Sequence, residues 1–182
     1  TMKHALSATA IMLMLGSCVG TPAPVPAPAR PPVVAAPRPS LPAGPAAERF
    51  AGDWSVADLP VAEWRYARQS GISAARLIGT SATDVRAMLS CEGGNISIIR
   101  PGLLPADIAA MMTVRTSAAE RRLPMNANSA NRTIYATLSA RDPLWDQIAY
   151  SRGRFVIEAT AQAPLLAPVR PELLRVIEDC RG

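Results

Sequence analysis

Beyond residue 60 the chain alternates apolar and polar residues over several short stretches, the pattern of strands buried on one face only. Ala62–Ala67 places Trp64 and Tyr66 on the same side, and Ala75–Gly79 is a second candidate strand. Val85, Ala87, Leu89 and Cys91 share one face, with Arg86, Met88 and Ser90 opposite. Gly93-Gly94 then turns the chain, and Asn95–Ile99 runs back. Two glycines between alternating runs predict a hairpin, because the tight turn needs positive φ. Ala110–Thr116 and Arg121–Met125 read as another pair. Thr133–Ser139, Arg154–Thr160 and a short run at Leu165-Leu166 complete the set.

Two stretches carry a helical period instead. In the first, Asp142 is a cap and Pro143 a first helical residue. Leu144, Trp145, Ile148 and Ala149 form its stripe, and Gly153 can end it. The second runs from Pro171 to Cys180, with Leu173, Val176, Ile177 and Cys180 on one face and Glu172, Arg175, Glu178 and Asp179 on the other. Glu172 and Arg181 suit the two ends of its dipole. The expected fold is mainly β (β+α): an antiparallel β-sandwich or barrel of about seven or eight strands. Two short helices pack on it, the second of them C-terminal.

Upstream the pattern changes. Residues 21–45 are nearly all Pro, Ala and Val, with ten prolines. Proline lacks an N–H and fixes φ, so this stretch reads as a semi-extended tether. At about 3.1 Å per residue it reaches roughly 70 Å when stiff. The competing reading is a ligand for a Pro-binding module, helped by Arg30 and Arg38. Before it, Met2-Lys3-His4 precede an apolar run, Ala5–Leu15, too short to span a bilayer. Thr1 precedes Met2, which reads as the natural start. The organisation is thus a signal peptide over residues 1–17, a tether over 18–45 and one globular β-rich domain over 46–182.

The end of the apolar run, Leu15-Gly16-Ser17-Cys18, resembles the lipobox of bacterial lipoproteins. That resemblance implies lipidation of Cys18, cleavage just before it and acylation of the new terminus. Two or three acyl chains, at about 0.8 kcal/mol per buried CH₂, hold a protein on a membrane. Val19 stands where Asp would favour retention in the inner membrane. The implied address is the cell envelope, periplasm-facing, with the outer membrane preferred.

Charge and composition narrow the chemistry. The net charge is +5, but Lys3, Arg30 and Arg38 lie outside the domain. Beyond residue 45, 16 arginines face 14 acids, a net of +2 with no nucleic-acid footprint. Lys3 is the only lysine and His4 the only histidine. After processing, a histidine-based nucleophile relay, a His-ligated metal, a P-loop lysine and a Schiff base are all excluded. No cofactor and no metal are expected.

With Cys18 lipidated, Cys91 and Cys180 remain. An even count in an oxidising compartment favours one disulfide, and both residues fall on apolar faces. Two buried thiols, or a redox or metal pair, are the alternatives.

The densest polar-aromatic stretch, Asp142–Phe155, ends with Tyr150, Ser151, Arg152 and Arg154 near a turn. Arginine forks bind carboxylates or phosphates, so these four are candidate contacts for an anionic ligand. The bland alternative is a solvated rim. Glycoside hydrolysis on two acids needs no histidine. Its possible members are Asp142, Asp146, Glu158, Glu178 and Asp179. Asp142 is better read as a cap, Glu178 and Asp179 as a polar helix face, and the domain is poor in the aromatics such clefts use.

Met112–Ser117, Asp142-Pro-Leu144, Ser151–Phe155, Pro164-Leu-Leu166 and Arg175–Arg181 resemble a group of uncharacterised alphaproteobacterial envelope proteins. The resemblance spans most of residues 60–182 and implies one domain with a terminal Cys-Arg ending. It assigns no catalytic residue. A weaker likeness is to small lipidated lysozyme inhibitors, through Ser139 and Tyr150. The expectation is a lipid-anchored envelope protein with a non-catalytic binding or structural domain. Its partners would be the membrane, through the anchor, and an envelope protein or cell-wall component, but no nucleic acid. The alternatives are a binder or inhibitor of a cell-wall hydrolase and, third, a carboxylate-only glycan hydrolase.

Overall fold

A computed structural model describes residues 46–105 and 108–182. The signal, Cys18 and the tether lie outside the described residues. Ten strands and two helices follow in chain order. The strands are β1 (Glu63–Gln69), β2 (Ile72–Ile78), β3 (Val85–Glu92), β4 (Asn95–Pro101), β5 (Met111–Arg115), β6 (Glu120–Pro124), β7 (Asn126–Asn128), β8 (Thr133–Ser139), β9 (Arg154–Ala159) and β10 (Leu165–Pro168). Helix α1 (Leu144–Ala149) separates β8 from β9, and α2 (Pro171–Arg181) ends the chain.

The strands form two antiparallel sheets, ordered β1-β2-β3-β4-β8-β7 and β10-β9-β5-β6. Both keep free edges, so the architecture is a sandwich and not a barrel. The strand count exceeds the expected seven or eight, and the strand not anticipated is β7. β7 is Asn126-Ala127-Asn128, too short and polar to show a period, and pairing with β8 alone makes it a strand. The short run expected at Leu165-Leu166 is a strand, Leu165–Pro168, through its pairing with β9.

Local chemistry explains the turns. Glu92 pairs with Asn95, and Gly93 and Gly94 between them have φ of 56° and 75°. That is the left-handed region a two-residue hairpin demands. Ser70-Gly71 makes the equivalent turn between β1 and β2, at φ of 53° and 81°. This second turn extends β2 back to Ile72, three residues before its alternation becomes legible.

The first helix begins one residue later than expected, with Pro143 at its N-cap position, and the Asp142 carboxylate accepts from the Leu144 N–H at 2.8 Å. The helix stops at Ala149, before Gly153, which turns the chain into β9 at φ 77°. Pro171 opens α2, where its missing N–H costs nothing.

The core is one cluster between the sheets and beneath both helices. Leu77, Leu89, Ile96, Ile98 and Ile134 come from the six-stranded sheet, Met112, Val114, Phe155 and Ile157 from the other. Leu144, Trp145, Ile148, Leu173 and Val176 enter from the helices. Two tryptophans peg the layers through their indole N–H groups. Trp64 donates to the Pro168 carbonyl at 2.7 Å, and Trp145 to the Ser139 carbonyl at 2.8 Å. Cys91 on β3 and Cys180 on α2 form a disulfide, with Cα atoms 5.6 Å apart. The bridge fastens the last helix to the inner face of the six-stranded sheet.

Candidate functional site

The four residues singled out after α1 do not converge. Ser151 is only 2% exposed. Its hydroxyl accepts from the Ser117 N–H at 3.0 Å and donates to the Arg154 carbonyl, tying two turns together. It is not presented to a ligand. Arg154 donates to the carbonyl of Ala57, so its fork is engaged by backbone. Tyr150, at 86% exposure, and the exposed Arg152 remain at the surface. The stretch therefore splits into two joints and two surface groups.

Of the five candidate acids, most are held by partners. Asp142 binds Arg121 at 2.7 Å as well as the helix N-terminus. Burial pushes the Asp142 carboxyl up. The hydrogen bonds from Arg121 and Leu144 together outweigh that push and leave it below the usual range. Asp146 pairs with Arg181 at 2.8 Å, joining the two helices. Asp179 accepts the Tyr66 phenol at 2.5 Å, with Arg68 at 3.7 Å. That hydrogen bond to Asp179 raises the Tyr66 phenol above its ordinary value. Arg175 stacks on the same ring at 4.7 Å. Glu178 is exposed on the helix.

Glu158 stands apart. It is 0% exposed, on the face of β9 that points away from the core. Its Oε1 accepts from the Phe50 N–H at 2.9 Å and from Arg115 at 3.1 Å. Among the described residues Oε2 accepts no hydrogen bond, although Arg49 approaches to 3.7 Å. Arg49 also pairs with Glu120 at 3.1 Å, and that hydrogen bond holds the Glu120 carboxyl below its usual range. Arg115 lies 5.8 Å from the centre of the Trp54 ring. Residues 49–57 thus run as a strap over the outer face of the four-stranded sheet. The strap is clasped by Glu158 at one end and by Arg154, through Ala57, at the other. Glu158 was visible in the sequence only as one acid among five. No local signal announces that its strand is covered on both faces, because the cover comes from residues about 100 positions away.

Two shallow grooves mark the end of the sandwich where β4 finishes. One, of about 280 Å³, is lined by Arg86, Arg100 and Leu165 among others. The other, of about 640 Å³, is lined by Asn131, Arg132 and Gln162 among others. Among the described residues no acid lines either groove. Sequence reasoning did not single out Arg100 or Arg132, since both look like ordinary alternating or loop arginines. Among the described residues no three of His, Cys, Asp and Glu gather where they could hold a metal ion.

Comparison with known proteins finds no family, no curated protein and no solved structure that matches the chain.

Proposed function

We propose that the chain is a lipid-anchored cell-envelope protein whose β-sandwich is a non-catalytic binding or structural module. The observation that carries this reading is how its acids are used. Asp142, Asp146, Glu158 and Asp179 are each held by an arginine, a backbone N–H or a phenol. An acid that exchanges a proton with substrate must face it unengaged. Glu158 is buried, Asp142 and Asp179 are mostly buried, the half-exposed Asp146 is held by Arg181, and Glu178 stands exposed on the polar face of its helix. The chain also carries no lysine or histidine beyond residue 4. The disulfide supports an oxidising compartment, and the Leu15-Gly16-Ser17-Cys18 run supports the anchor.

A second reading, a binder or inhibitor of a cell-wall hydrolase, draws on Tyr150 and Arg152. Both stand exposed on one turn, as an inserted inhibitory loop would need.

Metabolic labelling with a clickable palmitate should mark the wild type and not Cys18→Ala. Equal labelling of both would end the lipoprotein reading. The purified protein should leave peptidoglycan intact, and turnover lost on replacing Asp146 or Glu158 would promote the enzyme. Inhibition of a lysozyme that disappears in Tyr150→Ala would favour the second reading over the first.

A further inference from the structure

Arg100 breaks the rule that a buried arginine has an acid beside it. It follows Ile96 and Ile98 on the core-facing side of β4 and is 8% exposed. Its Nη1 donates to the Ala163 carbonyl at 2.8 Å. Its Nε–H is buried and, among the described residues, has no acceptor. Among the described residues no carboxylate lies within ion-pair distance, whereas the half-buried Arg115 and Arg121 each have one. Burial pushes the Arg100 guanidinium down to about 10, which still leaves it cationic at neutral pH.

A charge taken out of water without a counter-ion is costly. Linking β4 to the Ala163 carbonyl needs only a neutral donor, such as an amide. The charge itself has no partner within the described fold, and the groove beside it is where one could sit. Arg100, Arg86, Pro164 and Leu165 line that groove. Pro101 also lines the larger groove, together with Gly102, Asn131, Arg132 and Gln162. Arg86 is neutralised by Asp84 at 3.0 Å. Arg132 is exposed and, among the described residues, has no carboxylate partner. The two grooves, which share Pro101, thus offer two guanidiniums without a carboxylate partner among the described residues, two amides and apolar walls.

We propose that this end of the sandwich binds a small ligand carrying a carboxylate or phosphate group, with Arg100 and Arg132 on the anion. The amides of Asn131 and Gln162 are placed to read a hydroxyl- or amide-bearing body. The site is separate from the Tyr150–Arg154 turn and does not depend on the anchor.

The test uses the ¹⁵N-labelled full chain. Arginine Nε–Hε resonances and the Gly102 amide are followed while inorganic phosphate, N-acetylmuramic acid or the neutral N-acetylglucosamine is added. The expected result is a saturable shift at Arg100 and Gly102 with an anion, weakened by added salt. The neutral sugar should give none. Arg132→Ala should weaken binding about tenfold, the scale of one charge-assisted hydrogen bond. Arg100→Gln, which retains a donor for Ala163, should abolish saturation. Should Arg100→Gln fail to fold, Arg132→Ala decides alone. Tighter binding of N-acetylmuramic acid identifies a carboxylate ligand, and tighter binding of phosphate a phosphoryl one. Either supports the site. No saturable shift with either anion, equal shifts with the neutral sugar, or affinity unchanged in Arg132→Ala would overturn it.

Discussion

The two sheets of the sandwich solve the problem of their outer faces differently. The six-stranded sheet leaves its outer face to water. Across five strands, Ala67, Ala74, Ser90, Ser97 and Thr137 stand in register there, half-buried or exposed. Their inward neighbours Ala75, Leu89 and Ile98 are fully buried. The four-stranded sheet is closed on both sides at β9 and β10, while β6 at its edge stays exposed on its outer face. In β9, Phe155, Ile157 and Ala159 face the core, while Val156 and Glu158 on the opposite face are equally inaccessible. A sheet with one wet face needs alternation and little else. A sheet covered on both faces must find partners for the polar groups it buries, and here an arginine and a backbone N–H serve Oε1 of Glu158, while Oε2 has only Arg49 at 3.7 Å. Stability on the first side rests on apolar packing and a covalent bridge, and on the second on a buried ionic clasp.

Breaking the bridge should have the largest effect. Cys91 and Cys180 are 89 positions apart. For a loop of that length the chain-entropy model gives about 4–5 kcal/mol. Cys91→Ser with Cys180→Ser should therefore lower the unfolding free energy by roughly that amount in denaturant titrations. Hydrogen exchange should speed first in α2, which the bridge holds against β1, β2 and β3. Uniform exchange throughout the domain would show that the helix is not the part released.

Breaking the clasp comes next. Glu158→Ala leaves Arg115 without its closest acid and the Phe50 N–H without an acceptor. Removing one partner of a buried pair costs about 3–5 kcal/mol. The lower end applies, because the Arg115 side chain is 21% exposed and can recruit water. Limited proteolysis should then cut within residues 49–57 while the six-stranded sheet stays protected. A destabilised variant whose strap still resists protease would separate the carboxylate from the cover.

Much of the six-stranded sheet is legible from local sequence, and the reason is its wet face. Strict alternation in Val85–Glu92 and a glycine pair at positive φ define β3 and β4 without reference to any partner. The cap at Asp142 and the stripe of α2 are equally local. β7 was not legible because three polar residues become a strand only when β8 is there to pair with them. The strap was not legible because its partners, Glu158 and Arg154, are far along the chain. Ser151 read as a ligand contact because exposure cannot be inferred from residue type. Its hydroxyl is buried by a turn whose other half is Ser117. The same limit hid Arg100, whose interest lies in the acid that is not beside it.

A smaller effect separates the sheets by pH. Asp142, which follows β8, binds Arg121 on β6 and so joins the two sheets at one end. Its carboxyl is held below the usual value, so the folded state binds its proton less readily than the unfolded chain. The contribution is present above the ordinary aspartate range, near pH 4, and is lost as pH falls through the depressed value. Asp142→Asn retains a capping oxygen but loses the charge. It should cost about 1 kcal/mol at neutral pH, and its melting temperature should fall less steeply than that of the wild type on acidification. Parallel pH profiles would mean that other acids carry the dependence.

The smallest expected effect compares the same chemistry in the two settings. Arg65 and Glu63 form an ion pair at 2.6 Å on the edge strand of the six-stranded sheet, with side chains 61% and 64% exposed. Glu158 and Arg115 form one at 3.1 Å beneath the strap, with the carboxylate side chain 1% exposed. The shorter pair should matter less. Water screens it, and holding two long side chains together costs entropy, so exposed pairs are worth about 0–1 kcal/mol. A double-mutant cycle on Arg65→Ala and Glu63→Ala should give a coupling of about 0.5 kcal/mol or less, vanishing in high salt. The same cycle on Arg115→Ala and Glu158→Ala should give a larger coupling that salt changes little, because the pair is screened from solvent ions. Equal couplings in the two cycles would mean that water reaches Glu158 beneath the strap, and the contrast between an open and a covered sheet would fail at the residue that best displays it.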